Sequence, residues 1–342
     1  MSGESSSADA WWSGLEPAAS AVVRGRGDSE DPRLGDVVRR WDGGKPQFRA
    51  RQPVLIGFPC DEGVRRNGGR PGAALAPDRV RQFLYRLTAC DPVSGISLDC
   101  LGLLDLGNVR VGRDLECGQR SLGAAVAGAL NAGAVPIVLG GGHETAFGHY
   151  LGYVTAGLNA AIINIDAHLD VRPFADGGHS GSPFRQAFEH PSRPLLPGRY
   201  VVIGAQRQSV AKAHADYVGQ RGGRIHWLPA SDSMVSLLRI VREEVENFES
   251  QGIAVLLTID ADAFVQADVP GTSAPSPVGL KGAAWPDIAF LAGCSRAVRS
   301  LEVVEVNPSL DRDDQSSRWA ALGIRQFLVA LATRDRTLDN DE

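Results

Sequence analysis

The stretch AAIINIDAHLD, residues 160–170, joins an apolar run to three ionisable side chains. The run has the length of a strand and is apolar nearly throughout, which indicates a parallel strand covered on both faces. Asp166, His168 and Asp170 follow at alternate positions, which point the same way in an extended segment. Such groups are costly to bury unless they are paired or bound to a metal, and the alternative is a solvated loop start.

Two further segments repeat this arrangement. GGGHE, residues 140–144, follows an apolar run, and TIDAD, residues 258–262, ends another. Taken alone, the first is a tight turn with a capping or core histidine, and the second is a helix cap. Three such segments in one chain favour a shared site over three unrelated turns.

The histidines and aspartates of these segments predict a metal centre. They are His143, Asp166, His168, Asp170, Asp260 and Asp262. Mixed imidazole and carboxylate ligands suit divalent metals such as Mn, Ni, Zn or Fe. Six groups are too many for one metal with an open position, and they are about right for two metals that share bridging carboxylates.

Apolar runs of strand length alternate with helical stretches along most of the chain. The strands are predicted at 54–58, 101–106, 135–139, 160–165, 200–204, 225–228, 253–259 and 301–306. The clearest helices are predicted at 115–132, 210–219, 234–248 and 317–332. This alternation predicts a single-domain α/β fold of three layers, α/β/α, with a parallel, doubly wound sheet of about eight strands. Ligands bind such sheets at the carboxyl ends of the strands, where all three segments fall.

The chain divides into an arm, a body and a tail. Residues 1–52 are rich in Ser, Gly, Asp and Arg but contain three tryptophans, which predicts an irregular arm packed on the body. Residues 53–334 form the predicted catalytic domain, and residues 335–342 form a polar tail that is expected to fray.

Composition excludes several classes of function. The net charge of −5 gives no reason to expect nucleic acid as a partner. Five scattered cysteines without a CxxC pair indicate a reducing compartment. No secretory signal and no membrane-spanning run is visible, so a soluble cytoplasmic protein is expected.

Together with EVVEVNP, residues 302–308, the three segments resemble the metal-binding and E-x-N-P motifs of the ureohydrolase superfamily, which includes arginase and agmatinase. The resemblance covers about residues 53–332 and implies the arginase-like fold. Four stretches are similar to the formimidoylglutamase branch in particular: residues 57–72, 170–173, 179–184 and 270–275.

The resemblance implies a ligand set for each of two divalent ions. His143, Asp166, Asp170 and Asp260 would hold one ion, and His168, Asp166, Asp260 and Asp262 the other. Asp166 and Asp260 would bridge. Mn²⁺ is the expected metal, with Ni²⁺ and Fe²⁺ left open.

The resemblance also implies a hydrolase in which an activated water attacks the trigonal carbon of an amidine or guanidine. Asp170 would hold that water and pass its proton to the leaving nitrogen, and Glu305 would receive the cationic amidinium. Ser180 aligns with the proton-shuttle histidine of the family, and His179 is one residue away from that position. Both are expected to contact the substrate.

On this basis we expect hydrolysis of N-formimidoyl-L-glutamate to L-glutamate and formamide, as in histidine degradation, by a homo-oligomer. Arg65, Arg66 and Arg172 are candidates to bind the substrate carboxylates, because arginine forks carboxylates bidentately. For each the alternative is a surface salt bridge. Two other functions stay open: a hydrolase for agmatine, guanidinobutyrate or another guanidino compound, and a non-catalytic binding protein of this fold.

Overall fold

We describe the protein from a computed structural model, which defines residues 10–19, 25–112, 114–228 and 233–339. Its centre is one sheet of ten strands. The strands are β1 (Leu15–Glu16), β2 (Arg39–Arg40), β3 (Pro53–Gly57), β4 (Leu104–Val109), β5 (Val135–Leu139), β6 (Ala160–Ile165), β7 (Tyr200–Gln206), β8 (Arg224–Leu228), β9 (Ala254–Asp260) and β10 (Val298–Val304).

The strand order is β1-β4-β3-β5-β10-β9-β6-β7-β8, and β2 also pairs with β4. All pairs are parallel except β1 with β4. The parallel α/β fold predicted above is therefore confirmed. Eight of the ten strands are the predicted ones, and the predicted bounds of β5 and β6 agree with the structure.

Ten helices complete the layers in the described part of the chain. They are α1 (Leu34–Val37), α2 (Glu62–Arg66), α3 (Ala76–Leu84), α4 (Leu115–Asn131), α5 (Thr145–Thr155), α6 (Pro183–Phe188), α7 (Lys212–Gln220), α8 (Met234–Ser250), α9 (Ala284–Cys294) and α10 (Gln315–Asp339). None of the described helices is long and apolar enough to cross a bilayer.

Two apolar cores lie on opposite faces of the sheet. Helices α3, α8, α9 and α10 pack on one face, and α4 to α7 pack on the other. Neighbouring residues of a strand alternate between the cores: Ile163 belongs to the first and Ile162 to the second. Because both faces are covered, the strands are apolar nearly throughout, which is the pattern that made them visible in the sequence.

The arm is not wholly irregular, which corrects the expectation for residues 1–52. Its two short strands, β1 and β2, both pair with β4 and so cover the edge of the sheet. Leu15 and Trp41 are buried in the core beneath them. At the other end α10 continues to Asp339, so the described part of the predicted frayed tail is helical, and residues 340–342 lie outside the described part.

Candidate metal centre

The four motif-bearing strands are neighbours in the middle of the sheet. In the order β5-β10-β9-β6, they end at residues 139, 304, 260 and 165. Since parallel strands end at the same edge, the segments that follow them meet above one point of the sheet. The strand order thus brings together residues that are far apart in the sequence: His143 and Glu305, which are joined by a hydrogen bond, are 162 positions apart.

The ligand segments reach this point through tight turns rather than as extended chain. Asp260 ends β9, and its Oδ1 accepts the backbone N–H of Asp262 at 2.7 Å at the start of a 3₁₀ turn. Oδ1 of Asp166 accepts the N–H of His168 in the same way, also at 2.7 Å. Asp170 has a left-handed backbone with φ of 44°. The alternate spacing therefore brings the carboxylates together, but the expectation of an extended backbone is wrong, because the aspartates bond their own turns.

The glycine run before His143 is required by a close approach of two chain segments. A Cβ at Gly141 would lie 1.7 Å from the backbone oxygen of Cys60. The N–H of Gly142 donates to that same oxygen at 2.9 Å. Because backbone blocks the space, a side chain there cannot be accommodated by a rotamer change, and the run holds His143 against the segment after β3.

His143 presents one ring nitrogen to three carboxylates. Its Nδ1 lies 2.9 Å from Oδ2 of both Asp170 and Asp260, and 3.4 Å from Oδ2 of Asp166. This Nδ1 atom is buried and makes no hydrogen bond among the described residues. Nε2 lies 3.1 Å from Oγ1 of Thr258 on β9. A neutral imidazole that donates from Nε2 leaves the Nδ1 lone pair for a cation at the point where the carboxylates converge.

A second group of ligands adjoins the first. Nδ1 of His168 lies 3.4 Å from Oδ1 of Asp166 and 3.3 Å from Oδ2 of Asp262. Asp166 belongs to both groups, with one oxygen toward each histidine. The donor set therefore fits two divalent cations that share Asp166. In this geometry Asp260 belongs to the first group and not to the second, so its bridging role stays a prediction.

Burial of these like charges has a large electrostatic cost. Burial, and then the charges of Asp262 and Asp166, hold the pKa of Asp260 well above its ordinary value. Asp262 in turn raises the pKa of His168 well above its ordinary value, against the opposing effect of burial. Divalent cations would remove this repulsion, which is a second reason why the cluster fits metal.

Residues behind the ligands fix their orientation. Nδ2 of Asn164 donates to Oδ2 of Asp166 at 2.9 Å, and it also lies 3.2 Å from the hydroxyl of Tyr200. That hydroxyl donates to the backbone oxygen of Leu169 at 2.7 Å. Asn164 and Tyr200 thereby hold both Asp166 and the turn between His168 and Asp170, as expected of groups that support metal ligands.

Four of the six ligand candidates, His168, Asp170, Asp260 and Asp262, form the floor of a cavity of about 300 Å³. The polar side chains around it, beyond the ligands, are Asn67, Arg70, Arg172, Ser180, Ser273 and Glu305. Arg172 donates to Oδ1 of Asn67 at 3.3 Å, and Asn67 donates to Oγ of Ser180 at 3.1 Å. The wall thus combines two arginines with neutral hydrogen-bonding groups, next to a floor that is rich in carboxylates.

Glu305 has a strained backbone and brings a buried carboxyl to this cavity. Its φ is 61°, in the left-handed region, and its Oε1 accepts the backbone N–H of His143 at 2.8 Å. Burial, followed by the charges of Glu144 and Asp262, raises the pKa of Glu305 to about 8. A buried carboxyl with these neighbours favours a cationic partner.

Three of the predicted substrate-binding residues lie outside the cavity wall. Arg65 pairs with Asp61 at 3.0 Å, and Arg66 pairs with Glu116 at 2.6 Å. His179 holds its own loop: Nε2 lies 3.0 Å from the backbone oxygen of Pro173, and Nδ1 accepts the N–H of Gly181 at 3.2 Å. Their geometry speaks against direct contact with a substrate, whereas Arg172, Ser180 and Glu305 line the cavity.

Several residues of the site carry no signal in the sequence, and Thr258 and Arg70 are two of them. A threonine in a strand is common and does not stand out from its neighbours. Arg70 stands in the same stretch as Arg65 and Arg66, and nothing in the spacing distinguishes it from them. Their roles follow from the fold alone.

The fold and the donor set fit a hydrolase with a binuclear metal centre at the carboxyl ends of neighbouring parallel strands. The chain belongs to the arginase family, whose sequence model matches residues 51–330. The resemblance to the ureohydrolases is therefore confirmed.

Similar proteins within the family include formimidoylglutamases. The enzyme of Geobacillus thermodenitrificans is 38% identical over 92% of this chain and 97% of its own length. That of Rhodococcus opacus is 38% identical over 81% of this chain and 85% of its own. The crystal structure of Trypanosoma cruzi formiminoglutamase with a pair of Mn²⁺ ions is 32% identical, with a TM-score of 0.77, over 89% of this chain and 99% of that one.

Proposed function

We propose that this protein hydrolyses N-formimidoyl-L-glutamate to L-glutamate and formamide, with two Mn²⁺ ions as cofactor. The observation that carries the proposal is a small cavity lined by Arg172 together with four of the six candidate metal ligands, which are His168, Asp170, Asp260 and Asp262. Within the described residues, this guanidinium has no carboxylate partner. Several formimidoylglutamases that match most of the chain support the same substrate.

The reaction adds one water and breaks one C–N bond. Two divalent ions, when bound, would supply an activated water at neutral pH. Asp170, itself a candidate ligand, lines the cavity floor, where its carboxylate can orient that water toward the amidine carbon. The same carboxylate can carry the proton to the nitrogen that leaves with glutamate, while the carbon and the other nitrogen leave as formamide.

Glu305 is proposed to hold the amidinium of the substrate. Its buried carboxyl lies at the cavity beside the backbone of His143 and would be stabilised in ionised form by a cationic partner. Losing this pair should lower kcat/KM by at least the one to two decades expected of a charge-assisted hydrogen bond.

Arg172 and Ser180 are proposed to bind the glutamyl end. Arg172 lies two residues after Asp170, and Pro173 restricts its backbone to an extended conformation. Asn67 joins the two side chains, so that the guanidinium is held in place before substrate binds. Arg172→Lys should recover only part of the activity lost in Arg172→Ala, since a point charge cannot fork a carboxylate.

One assay tests the substrate. Purified protein with added Mn²⁺ is incubated with formimidoylglutamate, agmatine, arginine and guanidinobutyrate, and kcat/KM is measured for each. We expect formimidoylglutamate to be preferred, because Arg172 repels the distal ammonium of agmatine. A preference for agmatine, arginine or guanidinobutyrate would show that the protein is a hydrolase for guanidino compounds instead. If none of the four compounds is hydrolysed and no metal is bound, the protein would be a non-catalytic binding protein of this fold.

The expected homo-oligomer stays a prediction, which rests on the fact that proteins of this family are commonly oligomeric. Light scattering behind size-exclusion chromatography tests it directly. A mass near the 36.3 kDa of one chain would contradict it.

A further inference from the structure

The cavity wall carries two arginines, and neither has a carboxylate partner in the part of the chain that the structure describes. Arg172 donates to Asn67, and Arg70 donates from Nε to the backbone oxygen of Ser273 and from Nη2 to that of Thr272, each at 2.9 Å. Within the described residues neither guanidinium takes part in an ion pair. Both therefore bring an uncompensated positive charge to a cavity whose acidic groups are committed to metals and to the amidinium.

The neighbouring arginines of the same stretch behave differently. Arg65 and Arg66 are each paired with acidic side chains and do not line the cavity. A surface arginine normally finds such partners when they are within reach. Arg70 instead bonds two neutral carbonyl oxygens, which hold the side chain in place without neutralising it.

We propose that Arg70 is a second substrate-binding residue, so that Arg70 and Arg172 each take one of the two carboxylates of formimidoylglutamate. The inference rests on the proposed function, and it identifies Arg70 as the residue that would make the enzyme prefer a substrate with two carboxylates. Arg70 still has Nη1 and one N–H of Nη2 available, because the two carbonyl oxygens use only Nε and one position of Nη2.

The backbone around Arg70 is held from both sides. Its N–H donates to Oγ of Ser273 at 2.8 Å, and its carbonyl accepts from Nδ2 of Asn307 at 3.1 Å. Two residues later the N–H of Gly72 donates to Oδ2 of Asp61 at 2.6 Å. A guanidinium on so restrained a segment loses little freedom when it binds, which is the condition for a strong contribution to affinity.

Arg172 and Arg70 are attached to different parts of the wall. Arg172 is held against Asn67 beside Ser180, whereas Arg70 is held against residues 272–273. Two cations on separate segments suit two carboxylates on separate carbons better than a single fork does. This arrangement would reject substrates with one carboxylate or with a second ammonium.

Arg70 also ties residues 272–273 to its own segment, and that structural role must be separated from substrate binding. We choose Arg70→Gln, which keeps an N–H donor for a carbonyl oxygen and removes the charge. Arg172→Gln is the companion variant. The matched control is Arg239→Gln, since Arg239 is an exposed arginine of α8 that pairs with Glu243.

The experiment measures kcat/KM for formimidoylglutamate and for two shape-matched substrates, N-formimidoyl-L-glutamine and N-formimidoyl-L-isoglutamine. Each of the latter has one carboxylate replaced by a neutral amide. We expect Arg70→Gln to lower kcat/KM about 10- to 100-fold for formimidoylglutamate and for one amide, with little change for the other. Arg172→Gln should show the opposite selectivity, and Arg239→Gln should match the wild type.

A loose loop would reduce activity on all three substrates alike. An equal loss across the substrates therefore overturns the inference, as does an Arg70→Gln enzyme with unchanged kinetics. In both cases wild-type activity on formimidoylglutamate leaves the proposed function intact. A wild-type enzyme that does not hydrolyse formimidoylglutamate overturns the proposed function and this inference with it.

Discussion

Oγ1 of Thr258 lies 3.1 Å from Nε2 of His143, and both residues are buried. The hydroxyl is placed to accept the Nε2 proton, which leaves Nδ1 unprotonated and directed at the carboxylates of Asp170 and Asp260. A strand residue that is not itself a ligand thus selects the tautomer that can bind a metal. Removal of the hydroxyl should weaken the site without removing any ligand.

Thr258→Val keeps the shape of the side chain and removes its hydrogen bond. We expect Mn²⁺ affinity to fall about 10- to 100-fold, as for other groups that support metal ligands. Calorimetric titration of metal-free protein gives the affinity. Thr258→Ser keeps the hydroxyl and should bind nearly as well as the wild type; equal weakening in both variants would mean that packing, not the tautomer, matters.

Asp166 belongs to both ligand groups and Asp262 to only one. Asp166→Ala should therefore lose both metals and nearly all activity, whereas Asp262→Ala should keep about one metal per chain. Atomic spectroscopy of desalted protein measures the content. If Asp260 also bridges, Asp260→Ala will resemble Asp166→Ala. Two metals retained in Asp166→Ala would show that Asp166 is not shared.

His179 uses both ring nitrogens on backbone groups of its loop, whereas Asp170 lines the floor of the cavity. His179→Ala should consequently keep more activity than Asp170→Asn. The activity that His179→Ala does lose should be accompanied by a lower melting temperature. Steady-state kinetics and thermal denaturation of both variants test this. A loss as deep as that of Asp170→Asn at unchanged stability would assign proton transfer to His179.

Glu244 on α8 should make stability depend on pH. Burial alone would raise its pKa, but hydrogen bonds from His226 at 2.7 Å and Arg224 at 2.5 Å lower the pKa to about 2. Since the unfolded value is near 4.5, the ionised carboxylate stabilises the fold fully above that pH and progressively less as pH falls toward 2.

Glu244→Gln should therefore lower the free energy of unfolding by about 1–3 kcal/mol at pH 7, and the difference from the wild type should shrink between pH 4.5 and 2. Urea titrations of metal-free protein across this range measure it. Glu243→Gln is the control, because that exposed residue pairs only at the helix surface. A difference that is constant with pH would contradict the linkage.

Metal removal should destabilise the protein, because the repulsion among four buried or nearly buried aspartates is then uncompensated. We expect the melting temperature to fall by several degrees after dialysis against a chelator, since metal at 100 times its Kd adds about 2.7 kcal/mol. Mn²⁺ should restore stability better than Mg²⁺, for which two imidazoles are poor ligands. An unchanged melting temperature would argue against a metal centre.

The amino-acid sequence by itself determined the type of fold and predicted the side chains that the structure brings together as candidate ligands. Strands β5 and β6 were predicted with the bounds that they have, because burial on both faces makes a strand apolar at nearly every position. The six ligand candidates, which the structure brings together in two groups, could also be recognised locally. Ionisable residues directly after a buried strand are unusual, so they stand out even when their neighbours in the fold are unknown.

Only the tertiary structure decided which arginines face the cavity. Arg65, Arg66 and Arg70 are close in sequence and alike in charge, but the first two meet Asp61 and Glu116, and Arg70 meets two carbonyl oxygens. The pairing of β1 and β2 with β4, and the contact of Thr258 with His143, were equally hidden. These features depend on which distant segments become neighbours, and that is set by the packing of the whole chain rather than by local periodicity.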